Sequence, residues 1–172
     1  GDALTFTGGL DTTAAVDAGD TTGTTLFGVL TSGGTQVDLG PVTLAGTSTI
    51  DTAGGVLNVL DADGAGVDGI ATAGNALTLN GGATGVLTVS TLSGGGALTL
   101  TDSGSTTFNG AVTAGATDLQ LTTGTVSFEG DTSLASLVTT TDGYGLSFTG
   151  ASNSVGGATV LQNTGALVLG NE

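Results

Sequence analysis

The stretch that decides the fold of this chain is Ala97-Leu98-Thr99-Leu100, because two similar stretches flank it at equal distances. The residues at 76–79 (ALTL) begin 21 positions earlier, and those at 118–121 (DLQL) begin 21 positions later. Leu146 and Leu167 are separated by the same interval. Each stretch alternates apolar and polar residues, which is typical of a β-strand with one buried face. The sequence therefore predicts strands that recur at this interval along the chain.

Other leucine spacings lie near the same value. Leu77 follows Leu57 by 20 positions, and Leu26 follows Leu4 by 22 positions. The step from Leu119 to Leu146 is longer, at 27 positions, and predicts an insertion around residues 133–143. Dividing the 172 residues of the chain by 21 gives about eight units.

Repeats built only of strands and turns predict an all-β fold, a parallel β-helix (β-solenoid) of about eight coils with a period of about 21 residues. The 34 glycines are frequent between strands, where glycine supplies the positive φ of tight corners. At roughly 4.8 Å per coil, eight coils make a rod of roughly 40 Å. We expect one domain over residues 1–172. A β-sandwich or antiparallel barrel is the alternative, but no Asn-Gly or Asp-Gly pair lies cleanly between two long strands.

The chain has no lysine, arginine, histidine or cysteine, whereas its 15 acidic residues give a formal net charge of −15. Nucleic acids and anionic membrane surfaces are bound through basic side chains, so we expect neither as a partner. No apolar run approaches the roughly 20 residues of a transmembrane helix, so we expect no membrane insertion. Most enzymes need a nitrogen base or a thiol, and we therefore expect no enzyme, no catalytic residue and no cofactor-binding residue.

A pair of carboxylates could still hydrolyse glycans, since that chemistry needs no other side chain. Sugars, however, usually bind on aromatic platforms, and this chain has no Trp and a single Tyr, at position 144. The composition therefore disfavours a glycosidase.

The densest carboxylate cluster is DADGAGVDG at residues 61–69. Asp61, Asp63 and Asp68 stand among small residues, and oxygen ligands at such intervals can wrap Ca²⁺, so these three are candidate metal ligands. The alternative is a surface corner built from turn-forming Asp and Gly. Most other aspartates are expected in turns beside Gly and Thr: Asp11, Asp17, Asp20, Asp38, Asp51, Asp102, Asp118, Asp131 and Asp142.

Two further residue patterns concern surface and core. Thr-x-Thr patterns, such as Thr5-Phe6-Thr7 and Thr99-Leu100-Thr101, invite an ice-binding interpretation, in which a flat ladder of threonines orders water. The pattern is not held in every unit, as Leu119-Gln120-Leu121-Thr122 shows, and Thr is in any case a favoured exposed strand residue. The phenylalanines are expected to form an internal stack: Phe6, Phe108, Phe128 and Phe148.

Neither end of the chain carries the polar cap that solenoids require for solubility. Residues 166–172 (ALVLGNE) followed by residues 1–7 (GDALTFT) would read as uninterrupted repeat. We expect the chain either to be an internal part of a longer polypeptide or to self-associate head to tail into fibres, because open strand edges promote association.

Four segments carry a family resemblance: residues 97–101 (ALTLT), 105–112 (STTFNGAV), 125–130 (TVSFEG) and 165–171 (GALVLGN). They resemble the degenerate repeats of large secreted bacterial surface proteins of the filamentous-haemagglutinin and autotransporter-passenger kind. The resemblance extends over essentially the whole chain and implies a right-handed parallel β-helix in a long extracellular adhesin or fibre. The chain departs from that family in lacking all Lys and Arg.

These observations predict an extracellular, cell-surface structural protein: a β-solenoid that forms part of a surface filament, sheath or adhesin stalk. The alternatives are an adhesin module that binds glycans or host cell surfaces, and an ice-binding protein with threonine ladders.

Overall fold

The structure is a computed structural model that describes residues 3–60 and 69–170. This part of the chain contains eighteen strands and no helix. The strands in chain order are β1 (Leu4–Thr7), β2 (Leu10–Asp11), β3 (Val16–Ala18), β4 (Thr24–Thr31), β5 (Val37–Leu39), β6 (Val42–Asp51), β7 (Val56–Val59), β8 (Gly69–Ala71), β9 (Leu77–Val89), β10 (Thr91–Ser93), β11 (Leu98–Phe108), β12 (Val112–Leu119), β13 (Thr125–Phe128), β14 (Thr132–Thr139), β15 (Gly145–Phe148), β16 (Asn153–Val155), β17 (Thr159–Val160) and β18 (Leu167–Leu169).

All pairings between these strands are parallel, and partners lie one coil apart along the chain. The chain is therefore a parallel β-solenoid, as the alternation and spacing predict. The sandwich and the antiparallel barrel are wrong, because both require antiparallel neighbours.

Each coil contributes one strand segment to each of three sheets that run along the solenoid. Long strands bend at a corner and so belong to two sheets. Sheet 1 contains β1, β8, β10, β16 and the first parts of β4, β6, β12 and β14. Sheet 2 contains β2, β17, the last parts of β4, β6, β12 and β14, and the first parts of β9 and β11. Sheet 3 contains β3, β5, β7, β13, β15, β18 and the last parts of β9 and β11.

The register gives eight coils, as predicted, but the typical step from one partner to the next is 20 positions rather than 21. In sheet 3, Thr106 pairs with Val126 and Val126 pairs with Leu146, which is a step of 20 positions each time. In sheet 1, Val112 pairs with Thr132 at the same interval. Steps of 21 positions also occur, because the corners between strands vary in length.

The register confirms some of the predicted leucine stacks and corrects others. Leu77 pairs with Leu98, and Leu146 pairs with Leu167, as their equal spacing predicts. Leu98 and Leu119 are also separated by 21 positions, but they do not stack, because Leu119 pairs with Leu100. The similar spacings of Leu57 to Leu77 and of Leu4 to Leu26 do not correspond to stacked pairs either. Leu57 pairs with Leu87 in the next coil, and Leu77 pairs with Ser48 in the previous one. Leu4 pairs with Thr24 in the next coil, and Leu26 pairs with Phe6 in the previous one.

The predicted insertion around residues 133–143 is wrong. Leu119 lies in sheet 2 and Leu146 in sheet 3, so the distance between them does not measure one coil. The long step lies earlier, where Val42 pairs with Ile70, 28 positions further along the chain. The extra residues fall between Val59 and Gly69, in a connection that includes residues 61–68, outside the described part of the chain.

The core is a set of apolar columns parallel to the solenoid axis. Alternate residues of each strand point inwards; in β13, for example, Val126 and Phe128 are buried while Thr125 is exposed. Burying one such side chain stabilises the fold by about 1.5–3 kcal/mol. The largest column lies in sheet 3, where the rings of Phe108, Phe128 and Phe148 stack at centroid distances of 5.0 and 4.8 Å. The predicted internal stack is thus confirmed for these three, whereas Phe6 lies in sheet 1 and pairs with Leu26.

Two kinds of corner recur along the solenoid, and both use glycine. Three tight turns begin with a buried hydroxyl residue, at Ser32, Thr52 and Thr72, and continue through two residues of positive φ. In two of these turns the first of the two residues is Ala53 (φ 49°) or Ala73 (φ 51°) rather than glycine.

The second corner design follows the phenylalanine column. Gly110, Gly130 and Gly150 each lie two positions after a stacked phenylalanine, where successive backbones come very close. A Cβ at Gly130 would overlap the carbonyl group of Gly110, and a Cβ at Gly150 would overlap that of Gly130. Only glycine fits this corner.

Candidate functional surfaces

The predicted Ca²⁺ ligands Asp61, Asp63 and Asp68 lie outside the described residues. Within residues 3–60 and 69–170, no group of three or more Asp, Glu, His or Cys side chains is arranged to hold a metal ion.

The sequence predicts turns for the other aspartates, but six of the nine lie in strands. The strand positions are Asp11, Asp17, Asp38, Asp51, Asp102 and Asp118. Asp17 and Asp38 lie at outward positions, between the inward residues of β3 and β5. Outward positions tolerate a charge as readily as turns do, because water reaches both. Glycine and threonine neighbours therefore do not distinguish strand from turn.

Side-chain amides and hydroxyls, rather than basic groups, accompany these carboxylates. The Asn58 side-chain amide donates to Asp38 from the next coil at 2.7 Å, and the Gln36 amide donates to the other oxygen of Asp38 at 2.6 Å. Asn80 donates to Asp51 at 3.0 Å across another pair of coils. Such bonds to a charged acceptor are stronger than neutral ones. Because of these bonds, an acidic residue can lie among the outward side chains of a sheet without a neighbouring basic side chain.

One outward column of sheet 3 changes from acidic to hydroxyl residues along the solenoid. Its outward residues in chain order are Asp17, Asp38, Asn58, Thr88, Thr107, Ser127, Ser147 and Val168. The first coils are acidic, and an open hollow of about 340 Å³ lies beside Asp17, Asp20 and Asp38. In this column the later coils present only hydroxyl groups until Val168. The negative charge of this sheet is thus concentrated at its first coils.

Sheet 1 carries an outward column of small hydroxyl residues along the full length of the described solenoid. Its members are Thr5, Thr25, Thr43, Ala71, Ser93, Thr113, Ser133 and Ser154. Seven of the eight are Thr or Ser, and none is charged. Neighbouring strands lie roughly 4.8 Å apart, so the hydroxyl groups repeat at that distance except where Ala71 interrupts the column. The column is not evident from the sequence, because Ser replaces Thr in several coils and the coil lengths vary.

Aromatic side chains contribute little to the surface. Of the five Phe and one Tyr, Phe27 alone is exposed, and its ring covers the backbone at Gly46. Tyr144 is fully buried and donates a hydrogen bond to the Leu119 carbonyl oxygen at 2.9 Å. These residues offer no paired aromatic platform on which a sugar could stack.

The inward apolar side chains of the two end coils are partly exposed, whereas those of the coils between them are buried. Leu169 stacks on Phe148 and is 69% exposed, whereas Phe148, covered by this last coil, is 6% exposed. At the other end the apolar residues are half-buried, at Leu4, Phe6, Leu10 and Val16. In the described residues, therefore, both ends of the apolar core are open.

No helix in the described ranges has the length and apolar character needed to cross a membrane. Comparison of the chain with protein families, curated proteins and solved structures gives no match.

Proposed function

We propose that this chain is an extracellular structural β-solenoid, a length of rod in a surface filament, sheath or adhesin stalk. The observation that carries the proposal is the parallel pairing of each coil with the next through all eight coils of the described residues. A fold of this kind extends by adding coils, since each coil contacts only its neighbours. No compact active-site cleft is needed for such a role.

The rod derives its stiffness from two continuous features. Backbone hydrogen bonds link each coil to the next in all three sheets, for example from the Gly145 amide to the Gly124 carbonyl oxygen at 2.9 Å. The stacked phenylalanines fill the interior of the later coils. Bending the rod would stretch the hydrogen bonds between coils and separate the stacked rings on the outer side of the bend. The solenoid should therefore behave as a short rigid spacer.

The surface chemistry suits a rod exposed to the environment. A net charge of −15 without any basic residue keeps neighbouring rods apart, and this repulsion acts over roughly 8 Å at physiological ionic strength. Trypsin-like proteases cleave after Lys or Arg and find no such residue here. The resemblance of the repeats to secreted bacterial surface proteins supports the same location.

Localisation and electron microscopy together test this function. Antibodies against the purified chain should label intact cells of the source organism before the cells are permeabilised. Negative-stain images of the purified chain should show narrow rods about 40 Å long per copy, given roughly 4.8 Å per coil. Labelling that needs permeabilised cells, or particles that are round in outline, would contradict the proposal.

The hydroxyl column of sheet 1 favours one second candidate, ice binding. Thr25, Thr43 and Thr113 are uncharged, outward and aligned along the axis, so they could order a row of water molecules. Ice crystals grown with the wild-type chain would then be faceted, and Thr113→Asp would abolish the faceting while Thr107→Asp on sheet 3 would not. Unshaped ice discs with the wild-type chain would dismiss this candidate.

A further inference from the structure

We propose that the last coil of one copy binds the first coil of a second copy, in the same register that joins successive coils inside the molecule. The proposal rests on the structural function above and names the partner and the contact. In this arrangement Phe6 of the second copy lies over Val155, and Ala18 of the second copy lies over Leu169.

The register follows from the columns that run through the solenoid. In sheet 1, the inward position of Phe6 is shared by Leu26 and Leu44 in the next coils, and by Ala114, Leu134 and Val155 in the last ones. In sheet 3, the position of Ala18 becomes Leu39 one coil later and ends at Leu169. A second copy placed with its first coil in the ninth position therefore continues both columns.

The two surfaces are complementary in side-chain size. A hollow of about 270 Å³ opens at the last coil between Phe148, Val155 and Leu169. The bulky side chain of the incoming coil is Phe6, which this register directs to Val155 at the edge of that hollow. Ala18, a small residue, meets Leu169, which protrudes. A large residue thus faces a hollow, and a small residue faces a protrusion.

Burial is the driving force for the contact. Leu167 and Leu169 are 44% and 69% exposed, whereas Leu146 and Phe148, in the same columns one coil earlier, are 0% and 6% exposed. One coil supplies about 20 residues, which matches the roughly 20–30 residues that each partner gives to a stable protein interface.

The charges of the two ends also permit this register. The outward residue Asp17 of the second copy would lie beside Val168, and Thr5 would lie beside Ser154, so neither position places two carboxylates together. The two copies nevertheless carry −15 each and repel one another at a distance. Association should therefore strengthen as salt concentration rises, because salt screens that long-range repulsion.

Two end variants and a control test the contact. Leu169→Asp introduces a charge at the last coil, and Phe6→Asp introduces one at the first coil. Val86→Asp adds the same charge at a side chain on the flank of the rod that is 44% exposed. Sedimentation velocity and electron microscopy then measure assembly at several protein and salt concentrations.

We expect the wild-type chain and Val86→Asp to form end-to-end chains that lengthen with concentration and salt. Each end variant alone should remain a monomer. An equimolar mixture of the two should form dimers and nothing longer, because one intact last coil meets one intact first coil. Formation of these dimers would also show that both variants are folded.

Long chains formed by Leu169→Asp or by Phe6→Asp would overturn the end-to-end contact and leave the structural function standing. A wild-type chain that stays monomeric at all concentrations, yet is rod-shaped and displayed on cells, would likewise overturn the contact alone. A chain that is not displayed on the cell surface would instead overturn the structural function.

Discussion

Phe128 lies parallel to Phe148 one coil away, with the ring centroids 4.8 Å apart and the ring planes inclined by 4°. The two residues are direct partners in the ladder between β13 and β15, and Phe108 continues the stack on the other side at 5.0 Å. The centroid separation equals the distance of roughly 4.8 Å between neighbouring strands. The rings therefore repeat with the backbone, and one phenylalanine per coil fills the same part of the interior.

The middle ring of this stack should contribute more to stability than any surface aromatic residue. Phe128→Ala removes a fully buried ring and leaves a cavity between two others, so the free energy of unfolding should fall by about 3–5 kcal/mol. Phe27→Ala is the matched control, because that ring is 48% exposed, and it should cost less than half as much. Urea titrations followed by circular dichroism measure both. Equal losses would contradict the role of the stack.

The glycine corner should not tolerate even one methyl group. Gly130→Ala places a Cβ against the backbone of Gly110, which cannot move without disturbing the previous coil. We expect a loss of about 3 kcal/mol or more in the free energy of unfolding. Gly143→Ala is the control, since a Cβ there meets no atom within 4 Å and φ is not positive. That variant should unfold within about 0.5 kcal/mol of wild type.

Glycine should stabilise the turns where alanine now has a positive φ. Ala53 has φ 49°, a left-handed conformation that costs about 1–2 kcal/mol for a residue with a Cβ. Ala53→Gly should therefore raise the free energy of unfolding by about 0.5–1 kcal/mol, after the extra freedom of glycine in the unfolded chain is subtracted. Ala135→Gly, in the interior of β14, should lower it by a similar amount. Thermal melting of the two variants would reveal opposite shifts; a decrease for both would refute the conformational argument.

The acidic end of sheet 3 should depend on the amide of Asn58. Asn58→Asp removes the donor to Asp38 and extends the adjacent carboxylates Asp17 and Asp38 to a row of three. We expect a loss of about 1 kcal/mol, because like charges on paired strand positions repel.

Most of that loss should disappear in about 1 M salt, where charges are screened beyond roughly 3 Å. Thr107→Asp, whose ladder partners Thr88 and Ser127 are uncharged, should show little dependence on salt. The comparison requires unfolding curves at low and high salt for both variants. A loss for Asn58→Asp that persisted undiminished at high salt would indicate packing rather than repulsion.

The sequence is sufficient to predict the solenoid and the number of coils, because both follow from the alternation of residues and its recurrence. It is insufficient for the register. Leu98 and Leu100 both point inwards, so a shift of two positions leaves the apolar pattern unchanged. Leu119 could therefore be assigned to either leucine, and only the length of the intervening corner places it on Leu100.

The same ambiguity explains the misplaced insertion and the hidden hydroxyl column. Sheets 2 and 3 share the apolar-polar-apolar pattern, so Leu119 and Leu146 look equivalent although they lie on different sheets. The equal spacing of Phe108, Phe128 and Phe148 is a better guide to the register, since a large ring fits fewer positions in the core than leucine does. Counting from those rings aligns Thr113 with Ser133 and Ser93, and so reveals the column in sheet 1.

The parallel register has a mechanical consequence when the rod is pulled from its two ends. Hydrogen bonds between coils lie along the pulling direction, as in the bond from the Gln120 amide to the Leu100 carbonyl oxygen at 2.8 Å. Tension would thus open them in succession, one coil after another, rather than shear a whole sheet at once. Each release would lengthen the chain by roughly 65–70 Å, the extended length of about 20 residues. Under tension the solenoid would therefore lengthen in small, even steps.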